Sequence, residues 1–379
     1  MIIGINAVNI NSGGGVNHIE NILKNLPKNF ANNHKIILWT NAKIFNYLKK
    51  CKIQNKKINI VVKKVIFFGL FWKYFFLYEE LKKNNCDILF SVDGLALRKF
   101  KKTVILFQNL LPFCNNEIIK YGISFSTFKL ILMRYLYYVS QKKSDGVIYL
   151  SSYSKIKIEK QIGKAKKSII IPHGISSDYF SISKNNTSNN KSINIIYVST
   201  VDLYKYQWNV VEAVELLIKE NFNVKLHLVG PINNKVAKNL LDKSSYKLNS
   251  FKKNSVIFYG ELKRSEIKRI LKKMNIFLYA SSCETFGITL LEGIASNLPV
   301  LSSNMSGLKQ NFSASKSISY FNPMSPISIY RSLKKKFLNL DSAASNEKKI
   351  LNKFSWRNIC ARNLKFLGDI YYANQKNNE

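Results

Sequence analysis

Two Rossmann-like, doubly wound α/β domains facing a cleft are the architecture that the 379-residue sequence predicts. Three observations predict it. Short apolar runs alternate with helix-length segments along the chain, and a single polar break divides that array into two halves of similar length. The composition, 46% hydrophobic and 13% aromatic, is far too apolar for a disordered chain and ample for two cores. Short strands alternating with helices imply parallel sheets built from βαβ units.

In chain order, a first buried strand is expected at 1–7 (MIIGINA), a start without the basic stretch and long apolar core of a signal peptide. A helical segment at 16–26 follows, then strands at 35–39 (KIILW), 59–62 (NIVV), 88–91 (ILFS), 103–108 (TVILFQ), 146–150 (GVIYL) and 168–171 (SIII). The polar break is 181–192, SISKNNTSNNKS, which has no apolar periodicity after Ile182 and the composition of a linker. Its glycosylation sequons at Asn185 and Asn186 matter only in a secreted chain. Beyond it come strands at 194–198, 225–229, 255–259, 276–280 and 299–302, with helical segments at 208–220, 264–273 and 288–296. The expected organisation is a first domain at 1–180, a linker at 181–193, a second domain at 194–355 and a C-terminal helix at 356–379. Two such domains on one linker place a cleft between the C-terminal ends of both strand sets, where two substrates can meet.

The charge narrows the partners. Against 22 Asp+Glu stand 59 Lys+Arg, a formal net charge of +37, which points first to nucleic acid or an anionic membrane. Nearly all of it is lysine. The only arginines are Arg98, Arg134, Arg264, Arg269, Arg331, Arg357 and Arg362. Lys, Asn and Ile are abundant together, as an AT-rich genome produces, whereas proteins that read bases favour the bidentate fork of arginine. With no recognisable nucleic-acid module either, nucleic acid is not an expected partner. The excess divides between solvated lysines and a face suited to an anionic surface. Five cysteines, odd in number and without a C-x-x-C pair, fit a reducing cytosol, and the four dispersed histidines form no metal-ligand spacing. The most apolar window, 65–78, is interrupted by Lys73 and too short to span a bilayer.

The strongest chemical signal is 281–292, SSCETFGITLLE, where a buried strand runs through a loop into an apolar helix. Gly287 lets the backbone approach a ligand. Free N–H groups near Thr289 and Leu290, with the helix dipole, suit a phosphate. Glu292, about one turn in, can accept hydrogen bonds from ribose hydroxyls, and Glu284 can reach a sugar beyond the phosphates. The competing reading makes Glu284 a solvated loop residue and Glu292 an ordinary first-turn charge.

The stretch from Glu284 to Glu292, with Gly293-Ile294-Ala295-Ser296-Asn297-Leu298-Pro299-Val300 after it, closely resembles the E-x7-E signature of family 4 glycosyltransferases of the GT-B fold. Gly293 stands where that family usually has Ala. Asn297 stands in place of Gly, and Asn tolerates the left-handed conformation Gly would supply. Other segments resemble the family in the same order. Asn11-Ser12-Gly13-Gly14-Gly15-Val16 is similar to its glycine loop beside the donor phosphates, implying roles for Gly14 and Gly15. Residues 198–206 (VSTVDLYKY) match the segment where the family sets a basic pair against the donor diphosphate. Lys205 fits the lysine and no arginine is present. Residues 107–113 (FQNLLPF) match a segment where many relatives carry His-Asp. Gln108-Asn109 stands there instead, so Asn109 is expected as a hydrogen-bonding amide, not an acid or base, with a turn before Pro112 as the competing reading. Ser151–Ser154 opens a helix, and Pro172-His173-Gly174 with Asp178 and Phe180 marks the approach to the hinge, His173 being read as structural. Phe354-Ser355-Trp356 precedes a helix that in this fold crosses back to the first domain. Lys309-Gln310 replaces a frequent Pro-Glu, which puts any sugar contact there in doubt.

The resemblance implies an acceptor-binding first domain and a second domain that binds a nucleotide-diphosphate sugar. It implies a retaining hexose transfer with Glu284, Lys205 and Asn109 as the catalytic set, and Gly14, Gly15, Phe286, Gly287, Ile288, Thr289, Leu290 and Glu292 as the donor-binding set. No cofactor is expected. No metal is expected either, since the Asp-x-Asp pair that holds a divalent ion in the other common transferase fold is missing from the sequence. Analogy with polysaccharide-assembly relatives leans to GDP-mannose as donor. Two aromatic and basic segments, 65–83 and 125–143, suit interfacial helices on anionic lipid, with buried core helices as the competing reading. The interfacial reading makes the acceptor a lipid-linked saccharide at the cytoplasmic face of the membrane, in lipopolysaccharide, O-antigen or capsule assembly. Alternatives are a basic nucleic-acid- or membrane-binding protein without catalysis, and another GT-B enzyme such as a sugar-nucleotide epimerase.

Overall fold

The computed structural model, which describes residues 1–11, 13–30, 34–51, 53, 60–65, 69–179, 192–338 and 348–374, turns the alternating apolar runs into two parallel sheets, one in each of two units. The first unit comprises Met1–Ile118, Gly122–Gly174 and Phe354–Glu379, and the second comprises Ile119–Tyr121 and Ile175–Lys353.

In the first unit the order is β1 (Ile2–Ala7), α1 (Gly13–Lys24), β2 (Lys35–Asn41), α2 (Ala42–Lys50), β3 (Ile60–Val65), α3 (Gly69–Phe75), α4 (Leu77–Lys83), β4 (Ile88–Ser91), β5 (Thr103–Phe107), α5 (Asn115–Ile118), α6 (Phe125–Lys143), β6 (Gly146–Tyr149), α7 (Ser152–Ile162) and β7 (Ser168–Ile170). The strands lie in the order β3-β2-β1-β4-β5-β6-β7. The chain therefore winds outward one way to β3 and the other way from β4, with the switch point between β1 and β4. Ile3 sits opposite Ile36 on one side and Ile88 on the other. Burial on both faces is why these strands read as continuous apolar runs. Gly4 answers a packing demand, since a Cβ there would lie 2.4 Å from Leu81 Cδ2 of α4. Ser151 caps α7 in a reciprocal capping box with Ser154.

The second unit runs β8 (Ile193–Val198), α8 (Gln207–Lys219), β9 (Val224–Val229), α9 (Lys235–Phe251), β10 (Val256–Phe258), α10 (Arg264–Leu271), β11 (Ile276–Tyr279), α11 (Ile288–Ala295), β12 (Val300–Ser303), α12 (Leu308–Asn311), β13 (Ile318–Phe321), α13 (Pro326–Phe337) and α14 (Lys348–Lys353). Its strand order is β10-β9-β8-β11-β12-β13, again doubly wound, with the switch between β8 and β11. The last helix, α15 (Trp356–Tyr371), belongs to the first unit, where Cys360 Sγ reaches Ile22 O of α1 at 3.5 Å. Phe366 and Ile370 of α15 pack where a Cβ on Gly146 would come within 3.0 Å.

Two features depart from the sequence expectation, and one expected segment lies largely outside the described residues. β13 was not anticipated: it is a half-exposed edge strand whose ISYF is too short and polar to signal a buried run. The lysine-dotted helices α9 and α13 were not anticipated either, because their apolar face is narrow, with Ala237, Leu241 and Leu248 as the buried residues of α9. Most of the expected linker 181–193, with Asn185 and Asn186, lies outside the described residues, as do Ser12, Asn59, Phe67, Phe68 and Phe180.

The two aromatic segments are only partly core: α4 buries Leu77, Tyr78 and Leu81, whereas α3 and α6 leave most of their aromatics exposed. In α6 only Tyr137, Ser140 and Gln141 are buried. Its apolar stripe faces solvent, with Phe125 82%, Phe128 64% and Tyr135 61% exposed and Ile131 and Leu132 beside them. That reverses the usual orientation of a surface helix. In α3 Trp72 and Lys73 turn inward while Phe71, Tyr74 and Phe75 are exposed. Lys73 ion-pairs with Asp93 in the loop after β4, a contact buried on both sides. The same loop donates Ala96 N–H to Ser140 Oγ of α6 at 3.0 Å, so both aromatic helices flank one loop. No described helix is long and apolar enough to cross a membrane.

Candidate functional site

In the second unit, β11 delivers its chain end into the loop 280–287, and Gly287 opens α11. Gly287 has φ +95°, and a Cβ there would meet Leu308 Cδ2 at 2.6 Å, so both backbone and space require glycine. No side chain caps this helix, which leaves its first-turn amides to an anionic ligand. Ile288 and Thr289 are half-exposed at that end, whereas the Leu290 side chain is buried, which leaves Leu290 only its backbone to offer. The Phe286 side chain is also turned inward, 5.2 Å from the Phe312 ring, which makes it a floor beneath the loop. At the far end of α11, Asn297 adopts φ +56°, the left-handed conformation anticipated for it. Gly293 is explained by its neighbour, because a Cβ would fall 2.4 Å from the Phe277 ring of β11.

Lys205 and Glu284, expected in separate roles, form an ion pair. Their side chains are 8% and 16% exposed. Ser281 Oγ donates to Glu284 Oε1 at 2.6 Å, and Lys205 Nζ lies 4.8 Å over the Tyr204 ring and 5.3 Å over the Tyr279 ring. The loop carrying Glu284 is tied to the turn carrying Lys205 by Ser282 N–H to Tyr204 O at 2.9 Å. Burial, and then the Glu284 charge, push the Tyr204 and Tyr279 phenols well above their ordinary range, so they stay neutral. An aromatic box with one cation and one carboxylate can hand the cation to an incoming phosphate while the carboxylate takes sugar hydroxyls. Removing either partner leaves the other charge uncompensated in a poorly solvated place.

Glu292 is half-buried on α11. Burial raises its carboxyl above the usual range, opposed by the Arg264 charge and a hydrogen bond from Tyr179. A carboxylate has acceptor capacity for more than one donor, so ribose hydroxyls can share it with Tyr179. Sequence reasoning missed Tyr179 and Arg264. Tyr179 sat between the noted Asp178 and Phe180, and Arg264 was read only as the start of a helix. Lys268 lies 4.9 Å over the Tyr179 ring and bridges Asp178 at 2.9 Å, which fixes that segment.

Gly14, Gly15 and Asn109 belong to the first unit. The glycines lie in the first turn of α1, not in a loop ahead of it, because the helix already starts at Gly13. A Cβ on Gly15 would lie 2.8 Å from the Ile10 side chain. Asn109 is exposed, and its Oδ1 accepts the Leu111 N–H at 3.1 Å, the turn before Pro112 that competed with a sugar-binding role. His173 is buried in an aromatic cluster with His18 at 5.5 Å and Trp356 at 6.3 Å, and burial lowers its imidazole to about 4. That places it in the core.

Residues 178–343 match the family model described as Glycosyl transferases group 1. No curated protein sequence matches the chain. Among solved structures, a glycosyltransferase from Rickettsia africae is similar at TM-score 0.72 and 18% identity, covering 97% of this chain and 98% of that one. Anabaena HepE, solved in complex with UDP and glucose, is similar at TM-score 0.72 and 15% identity over 97% of this chain and 99% of its own. WaaG, a glycosyltransferase involved in lipopolysaccharide biosynthesis, gives 0.72 and 16% over 97% and 99%. At these identities the likeness to the three structures is one of fold, the GT-B arrangement.

Proposed function

We propose, from the match of residues 178–343 to the group 1 glycosyl transferase model, that the chain moves a hexose, with retention, from a nucleotide-diphosphate sugar to a lipid-linked saccharide. The observation that carries this reading is the Lys205–Glu284 pair, held in an aromatic box a few residues before the uncapped N-terminus of α11. In the reaction, the α11 amides and Lys205 neutralise the departing diphosphate. Glu284 orients the donor sugar and Glu292 holds the ribose. The acceptor hydroxyl attacks from the face the diphosphate leaves, and a departing oxygen takes its proton. Positioning and electrostatics thus carry the step without a dedicated base. Asn109 can keep its bond to the Leu111 N–H through Oδ1 and still offer its Nδ2 hydrogens to a sugar hydroxyl. The reading includes no metal: the sequence lacks Asp-x-Asp, and cationic and helix-terminal groups supply the charge. Turnover persisting in excess chelator supports that part, and activity abolished by chelator and restored by manganese overturns it.

The exposed stripes of α3 and α6, on a chain of net charge +37, support work at the inner face of the cytoplasmic membrane, with lipopolysaccharide, O-antigen or capsule intermediates as the acceptor class. GDP-mannose and UDP-glucose are the two donors to separate, the first by analogy and the second because HepE was solved with UDP and glucose. A thermal-shift screen of UDP, GDP, ADP and their sugars tests the reading. One nucleotide family raising the melting temperature in proportion to its concentration supports it. A flat response to all of them removes the transferase reading of the site.

A further inference from the structure

Lys205 stands on a short turn, Leu203–Lys205, whose two ends are unusual. At its start Asp202 caps the turn, with Oδ1 accepting the Leu203 N–H at 2.8 Å. At its end Tyr206 has φ +49° and ψ +36°, a left-handed conformation in which a bulky side chain is strained. Such a residue persists only where its surroundings over-determine it. Both ends are gripped by two consecutive residues from elsewhere in the sequence. Tyr121 OH donates to Asp202 Oδ1 at 2.5 Å. Lys120 Nζ donates to Tyr206 OH and lies 4.6 Å over its ring. Ile119–Tyr121 accordingly clusters with the second unit, although the residues on either side of it belong to the first. Behind the turn, Tyr197 OH donates to Lys205 O at 2.7 Å, so the backbone of Lys205 is fixed against β8.

We infer that Lys120 and Tyr121 form a two-point brace that holds the Asp202–Tyr206 turn in the shape that presents Lys205 to the donor diphosphate. They are positioning residues: Lys120 acts through the Tyr206 phenol and Tyr121 through Asp202. The brace suits a turn that lacks an arginine beside Lys205 and has a tyrosine where a glycine would take the left-handed conformation unaided. The inference rests on the proposed role of Lys205 in nucleotide binding.

The test is calorimetric titration of the full chain with UDP and GDP, combined with hydrogen exchange of peptides covering 199–206. Lys120→Ala should weaken binding of the accepted nucleotide about tenfold, the scale of losing one left-handed residue, and speed exchange across 202–206. Lys120→Arg, which keeps cation and donor, should restore both. In a Tyr206→Gly background, Lys120→Ala should cause no further loss, because glycine holds the conformation without the brace. If Lys205→Ala weakens binding while Lys120→Ala changes neither binding nor exchange, the brace is wrong and the nucleotide reading stands. If Lys205→Ala leaves binding unchanged, the nucleotide reading fails. Faster exchange in Lys120→Ala would then still support the brace, and unchanged exchange would overturn it as well.

Discussion

The two units share one winding pattern and divide the work. In both, a parallel sheet reverses direction beside its first strand, β1 with β4 and β8 with β11. In the second unit the chain after the fourth strand carries the charged chemistry: Glu284, the Gly287 turn, the open end of α11 and Glu292. In the first unit the corresponding loop after β4 carries Asp93, buried in an ion pair with Lys73 of α3, and the exposed apolar stripes of α3 and α6 flank it. One sheet ends in a polar loop with an uncapped helix start, the other in a loop flanked by exposed aromatic stripes. On the proposed reading, the same scaffold yields a donor end and a surface end through the residues on its loops and helices alone.

The largest blow to that contrast should come from Gly287→Ala. The left-handed backbone and the Leu308 contact together should cost about 3 kcal/mol in a urea melt and abolish nucleotide binding. Wild-type nucleotide affinity in that variant would mean the α11 terminus is not the phosphate site. Next is Phe128→Ser with Tyr135→Ser on α6. Losing two exposed aromatic side chains should lower sedimentation with anionic liposomes about 100-fold while nucleotide affinity stays as in wild type. Unchanged liposome binding would strip the first unit of its surface role.

The smallest effect is one the two units should share. Burial lowers His173 of the first unit and His227 of the second to about 4. Their folded values lie below the unfolded value near 6.5, so the stability each neutral imidazole contributes is full above pH 6.5 and lost as pH falls towards 4. Between pH 7 and 5.5 each should cost about 1 kcal/mol in a urea melt. Equal stability at the two pH values would contradict the burial of both rings.

The fold was legible because parallel strands buried on both faces leave continuous apolar runs, and β13 escaped because Ser319 interrupts its half-exposed four-residue run. The site was legible where backbone geometry forces a residue type. Gly287 and Asn297 both take positive φ, and both stood out as letters in a pattern. It was illegible where long-range packing chose the partner. Nothing in the sequence says that Lys205 and Glu284, 79 positions apart, touch, that Tyr179 bonds Glu292, or that Lys120 and Tyr121 brace the Lys205 turn. The inward turn of Phe286 was hidden for the same reason. The lysine excess also reads differently with the structure. Of the lysines argued over from sequence, Lys205 lies in an ion pair with Glu284 and Lys73, the residue that interrupts the apolar window, is a buried strut beneath the exposed aromatics of α3.

The central claim is that the second unit receives a nucleotide-diphosphate donor with Glu292 on its ribose. Calorimetric titration of wild type and Glu292→Ala with UDP and GDP tests it most directly. One nucleotide should bind wild type and lose about tenfold or more in the variant, the worth of a hydrogen bond to a charged group. Equal affinity in the two proteins, or no binding of either nucleotide to wild type, would contradict the account.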